Sequence, residues 1–176
     1  MKKNTNFHLN KRLIGRVSVF IDAANLELSA KSEHWKVDYK KLYKWLNRES
    51  KKLIYIGFYT ARFETKSHDD FLTVLKRQGY KLVTKKLKLI KQKSASHVRK
   101  ANFDVEIAVD AIKKKRQFDT FVLFSGDSDF AYLVSELRKN GKRVIVVSLK
   151  YHIAKELVKS ADFYLDLRKI KRLIQR

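Results

Sequence analysis

Apolar runs and stretches of helical period alternate along the chain. Short β-rich runs cover 16–21, 53–60, 81–84, 120–124 and 143–148, with a brief sixth at 163–165. Between them, Leu42, Trp45 and Leu46 share one face of a helix over 39–46, and Phe71, Val74 and Leu75 share one over 70–77. Gly79 and Gly141 each follow a helix that ends in basic residues, as expected of left-handed C-terminal caps. Strands alternating with helices predict an α/β class: a three-layer α/β/α sandwich around a mainly parallel sheet of about five or six strands.

No glycine-, serine- or proline-rich linker divides the sequence. The expected organisation is a basic N-terminal tail over 1–15, one domain over 16–166, and a basic C-terminal helix over 167–176. Leu167, Ile170, Leu173 and Ile174 give that helix an apolar side that would pack on the domain or on a second copy, making a homodimer.

The candidate chemistry lies where strands end. The run Phe121-Val-Leu-Phe-Ser-Gly-Asp127 leads into Asp127 and Asp129, and Val17-Ser-Val-Phe-Ile21 leads into Asp22. A third acidic group, Asp104 to Asp110, opens a helical stretch. In an open parallel sheet, ligands bind beyond the carboxyl ends of strands where the strand order reverses. If the first strand and 120–124 are neighbours, Asp22 and Asp127 converge there, and Asp104 closes the site from the side. Asp110 lies about 120° around the helix from Asp104, which makes it a secondary candidate. An aspartate after a strand is also a common helix N-cap, so Asp22 and Asp127 have a structural reading as well. An oxygen-only acidic cluster favours Mg²⁺ or Mn²⁺ and the hydrolysis of phosphate esters.

Charge changes the picture of the partner. Against 18 acidic residues stand 41 Lys and Arg, a formal net charge of +23. Such a field attracts polyanions, nucleic acid first. Lys85, Lys86, Lys88, Lys91, Lys93, Arg99 and Lys100 crowd one stretch that reads as a strand extension followed by a loop, a candidate phosphate-backbone contact. There is no cysteine, so any metal must take oxygen or imidazole ligands. No apolar run reaches signal-peptide or transmembrane length, and a cytoplasmic protein that leaves membranes alone is expected.

Taken together, Phe20-Ile-Asp-Ala-Ala-Asn-Leu26, Phe103-Asp-Val-Glu-Ile-Ala-Val-Asp-Ala111 and Val122-Leu-Phe-Ser-Gly-Asp-Ser-Asp-Phe130, followed by Leu137-Arg-Lys-Asn-Gly-Lys-Arg-Val144, resemble the NYN domains of the LabA-like branch, relatives of the PIN-domain nucleases. The first motif carries Ala23 where the family usually has glycine. The resemblance implies a PIN-like fold and a ribonuclease acting on RNA, preferably single-stranded, with Mg²⁺ or Mn²⁺. By match to the motifs, Asp22, Asp104 and Asp127 would be metal ligands and Asp129 would support them. Asn25 would orient the ligands or a water, and Ser125 would be a polar contact. An RNA-binding or regulatory module with a residual metal pocket is the alternative. A further acid found in many PIN domains has no assigned counterpart among Glu64, Asp69 and Asp70.

Overall fold

The computed structural model describes residues 9–86, 88–89, 99–100 and 102–176. In chain order the elements are β1 (Val17–Asp22), α1 (Ala23–Ser32), α2 (Tyr39–Glu49), β2 (Leu53–Arg62), α3 (Lys66–Arg77), β3 (Lys81–Lys86), β4 (Lys88–Leu89), β5 (Arg99–Lys100), α4 (Asp104–Lys114), β6 (Thr120–Phe124), α5 (Ala131–Lys139), β7 (Arg143–Ser148), α6 (Lys155–Ser160), β8 (Phe163–Asp166) and α7 (Lys171–Ile174).

Six strands form one sheet in the order β3-β2-β1-β6-β7-β8, every neighbouring pair parallel. Period-2 alternation sends successive side chains to opposite faces. Val17, Val19 and Ile21 of β1 join Leu26, Leu42, Trp45 and Leu46 in one core. Phe20 joins Phe121 and Leu123 of β6 with Ile107, Val134 and Leu137 of α4 and α5 in the other. All five residues of β6 are buried, as a strand covered on both faces requires. The result is an α/β/α sandwich.

The chain winds outward from β1 to β3, then returns to lay β6 against β1. Strand order therefore reverses between β1 and β6. Their carboxyl ends open the crevice where ligands of such sheets bind. Gly79 and Gly141 have positive φ, 104° and 73°, and follow α3 and α5 as caps.

Three details differ from the sequence pattern. On α3 the core-facing residues are Leu72 and Leu75, with Phe71 half-buried, while Val74 is 48% exposed. Within the N-terminal stretch, Leu9 is fully buried at the start of a 3₁₀ turn, Leu9–Arg12. At the other end, the chain makes a 3₁₀ turn, Leu167–Lys169, and then the short α7 in place of one continuous helix. Leu167, Ile170 and Ile174 enter the first core, and Leu173 stays partly exposed. Beyond β3, β4 and β5 pair antiparallel, Lys88 opposite Lys100 and Leu89 opposite Arg99.

The turn after β6 leaves no room at Gly126. A Cβ there would stand 2.0 Å from the His152 carbonyl oxygen and 2.7 Å from Ser148 Oγ. A Cβ on Gly141 would meet nothing within 4 Å, so an alanine there carries only the left-handed backbone penalty. Gly126→Ala is expected to cost about 2 kcal/mol or more, because backbone must move. In urea denaturation its midpoint should fall further than that of Gly141→Ala, and the reverse order would refute the packing argument.

Candidate metal centre

Asp22 ends β1 and caps α1, its Oδ1 accepting from the Asn25 backbone N–H at 3.2 Å. Asp127 does the same for the 3₁₀ turn Ser128–Phe130, accepting from the Asp129 N–H at 3.1 Å. Both aspartates are therefore N-caps, each through one oxygen of its carboxylate. The cap reading and the site reading are compatible.

The two loops are fastened to each other. Asn25 Oδ1 accepts from the Gly126 N–H at 3.0 Å. Buried Ser125 accepts from the Asp127 N–H at 3.3 Å and points its hydroxyl toward Asp22 Oδ2 at 3.5 Å. Asn25 and Ser125 thus fix Asp22 relative to Asp127. Ala23 is 1% exposed and packs in the first core, so its methyl group does not line the approach to Asp22.

Asp104 arrives from the side on the first turn of α4. Asn102 Oδ1 accepts from the Asp104 N–H at 2.8 Å and starts the helix. Phe103, Ile107 and Ala111 turn inward to the core and leave Asp104 at the edge. Ligand oxygens of Asp104, Asp127 and Asp129 all lie within 4.8 Å of one another. Asp129 is therefore a full member of the cluster, a rank that the sequence gives to Asp22. The signal was the Asp127-Ser-Asp129 spacing: the cap bond from Asp127 to the Asp129 amide folds both carboxylates onto one turn.

Asp22 sits deeper, outside that trio but within its field. Burial, together with the charges of Asp104 and Asp127, pushes its carboxyl up to about 6 against the opposing bond from Asn25. Burial also raises Asp104, and the charges of Asp127, Asp129 and Glu106 add to the shift. Three carboxylates within 4.8 Å of one another, all oxygen donors, fit a hard divalent cation such as Mg²⁺ or Mn²⁺. Because its surroundings disfavour the charged form, the stability that the protonated Asp22 contributes is fully present below about pH 4 and lost as pH rises through about 6. Asn is an equally good N-cap. In EDTA at neutral pH, Asp22→Asn is expected to be more stable than wild type by on the order of 2 kcal/mol. Thermal melts should show this advantage shrinking as pH falls from 6 to 4; an unchanging difference would contradict the assigned cause.

Other sequence candidates take different places. Asp110 accepts from the Tyr59 hydroxyl at 2.9 Å, and that hydroxyl lies 3.3 Å from the Tyr55 hydroxyl. This pins α4 to β2 and gives Asp110 a partner away from the trio. Lys85 pairs with Glu106 and donates to the Asn102 carbonyl at 3.0 Å, bracing the start of α4. Lys86 pairs with Glu64 at 3.1 Å, and Asp69 with Arg62 at 3.1 Å. Of Lys88, Arg99 and Lys100 the backbone alone is described, and Lys91 and Lys93 lie outside the described residues. Among the described residues, no helix is long and apolar enough to cross a membrane.

The chain is similar to known proteins over most of its length. The family model of the NYN domain matches residues 16–168. The low amplitude and bright protein LabA of Synechococcus elongatus is 32% identical over 164 residues, covering 92% of this chain and 88% of its own. A crystal structure of a Vibrio parahaemolyticus protein of unknown function superposes with a TM-score of 0.74 at 21% identity, covering 86% of this chain and 92% of that one. At that identity the likeness speaks for the fold.

Proposed function

Because this chain belongs to the NYN domain family, we propose that it is a metal-dependent ribonuclease hydrolysing phosphodiester bonds of single-stranded RNA. The observation that carries the reading is the convergence of Asp104, Asp127 and Asp129 within 4.8 Å, with Asp22 behind them, at the point where strand order reverses. A protein of net charge +23 has few reasons to gather acids there, and an RNA substrate supplies the polyanion that its surface attracts.

In this reading Asp104, Asp127 and Asp129 would hold the cation, and the deeper Asp22 would add to the negative field around it. Bound there, Mg²⁺ or Mn²⁺ would supply Lewis-acid charge opposite the phosphoryl oxygens. Asn25 and Ser125 keep the two carboxylate-bearing loops at fixed separation, and the Tyr59–Asp110 bond fixes the helix that presents Asp104.

A second reading, an RNA-binding module with a residual metal pocket, draws on the caps: Asp22 and Asp127 each serve the fold already. The test is incubation of wild type with end-labelled single-stranded RNA in Mg²⁺, in Mn²⁺ and in EDTA. Cutting that needs the cation supports the nuclease; tight binding with no cutting in either metal moves the conclusion to the binding module.

A further inference from the structure

Tyr132 is 80% exposed and Tyr151 75% exposed. Apart from Phe63 at 41%, every other described aromatic ring is buried or half-buried. Both exposed rings belong to the carboxyl edge of the sheet. The 3₁₀ turn Ser128–Phe130 runs directly into α5, so Tyr132 stands one turn beyond Asp129, a spacing that puts both on one helical face.

Tyr151 lies in the loop between β7 and α6, and that loop is fastened to the turn carrying Asp127. The Ala154 N–H donates to the Gly126 carbonyl at 3.0 Å. The His152 carbonyl fills the space above Gly126. Tyr151 also has cations beside its ring. The Arg168 guanidinium lies 5.6 Å and Lys150 Nζ 5.8 Å from the ring centroid. Arg168 is held by the Asp166 carboxylate through contacts of 3.1, 3.1 and 2.6 Å, so its position is set before any ligand arrives.

An exposed ring with cations beside it matches the needs of an unpaired nucleotide, whose base offers a π-face and whose phosphate needs a positive neighbour. Duplex RNA hides those faces in its stack. We propose that Tyr132 and Tyr151 are base-stacking residues for single-stranded nucleic acid running past the acid cluster, with Lys150 meeting the adjoining phosphates and Arg168, paired with Asp166, bracing the Tyr151 ring. The proposal rests on the nucleic-acid reading of the cluster and specifies how that substrate is held.

The test is fluorescence anisotropy with a labelled single-stranded RNA in EDTA, where binding is read without cleavage. Tyr132→Ala and Tyr151→Ala are each expected to weaken binding about fivefold or more, as loss of one stacked base does. Tyr132→Phe and Tyr151→Phe keep the ring and should bind as wild type does, and the same sequence as a blunt duplex should be indifferent to all four changes. Alanine variants that bind within twofold of wild type overturn the proposal, as do phenylalanine variants that lose as much as alanine. Cleavage by the same variants in Mn²⁺ separates the two readings. Metal-dependent cutting with unaffected binding dismisses stacking and leaves the nuclease standing, whereas a wild type that neither binds nor cuts RNA removes both.

Discussion

Asp127→Asn is expected to lower RNA cleavage by about a thousandfold or more, corresponding to ~4 kcal/mol of transition-state stabilisation, while RNA binding holds or tightens. The amide is isosteric, and its oxygen can still accept from the Asp129 N–H, so the 3₁₀ turn keeps its cap. Ser125 can likewise still receive the Asp127 amide, which preserves the link toward Asp22. What the substitution removes is one negative charge from a cluster whose members lie within 4.8 Å. A cation bound there would lose a ligand, and RNA phosphates beside it would lose a repulsive neighbour. Single-turnover cleavage and anisotropy on the same preparations measure the two effects; a variant that cuts at the wild-type rate would exclude Asp127 from the chemistry.

The second large effect concerns salt. A protein of net charge +23 that contacts about five phosphates of a single strand should lose roughly a hundredfold in affinity between 50 and 200 mM monovalent salt. Cations already paired within the fold contribute least to that slope. Lys85 with Glu106 and Lys86 with Glu64 are such pairs, so neutralising either lysine should change the slope by less than one phosphate's share. Binding that is flat across this range would mean that the charge excess serves solubility alone.

Much of the architecture was legible because parallel strands covered on both faces are written as unbroken apolar runs. Thr120–Phe124 and Arg143–Ser148 have the bounds that their apolar content predicts. Legibility failed where two phases of one helix carry apolar residues. On α3, Val74 and Leu72 lie on different faces, and Phe71 with Leu75 is compatible with either; only the packing against β2 and β3 selects Leu72. That Asp104 and Asp127 stand close together could be anticipated from strand ends and motif order. The depth of each carboxylate could not, because it depends on cap bonds across the turn: Asp129 is drawn up beside Asp127, and Asp22 is held down by Asn25. Asp110 had helical position in its favour, and its partner is a tyrosine from β2 that no local pattern reveals.

The measurement that bears most directly on the acid cluster is a Mn²⁺ titration of wild type and Asp104→Asn, read in parallel as heat of binding and as rate of RNA cleavage. Asp104 reaches the cluster from α4, so its replacement leaves both strand-end caps untouched. In wild type, Mn²⁺ binding and cleavage should saturate together, and in the variant both should be lost while RNA binding persists. Cleavage independent of added Mn²⁺, or undiminished in Asp104→Asn, would contradict a metal-dependent nuclease centred on these carboxylates.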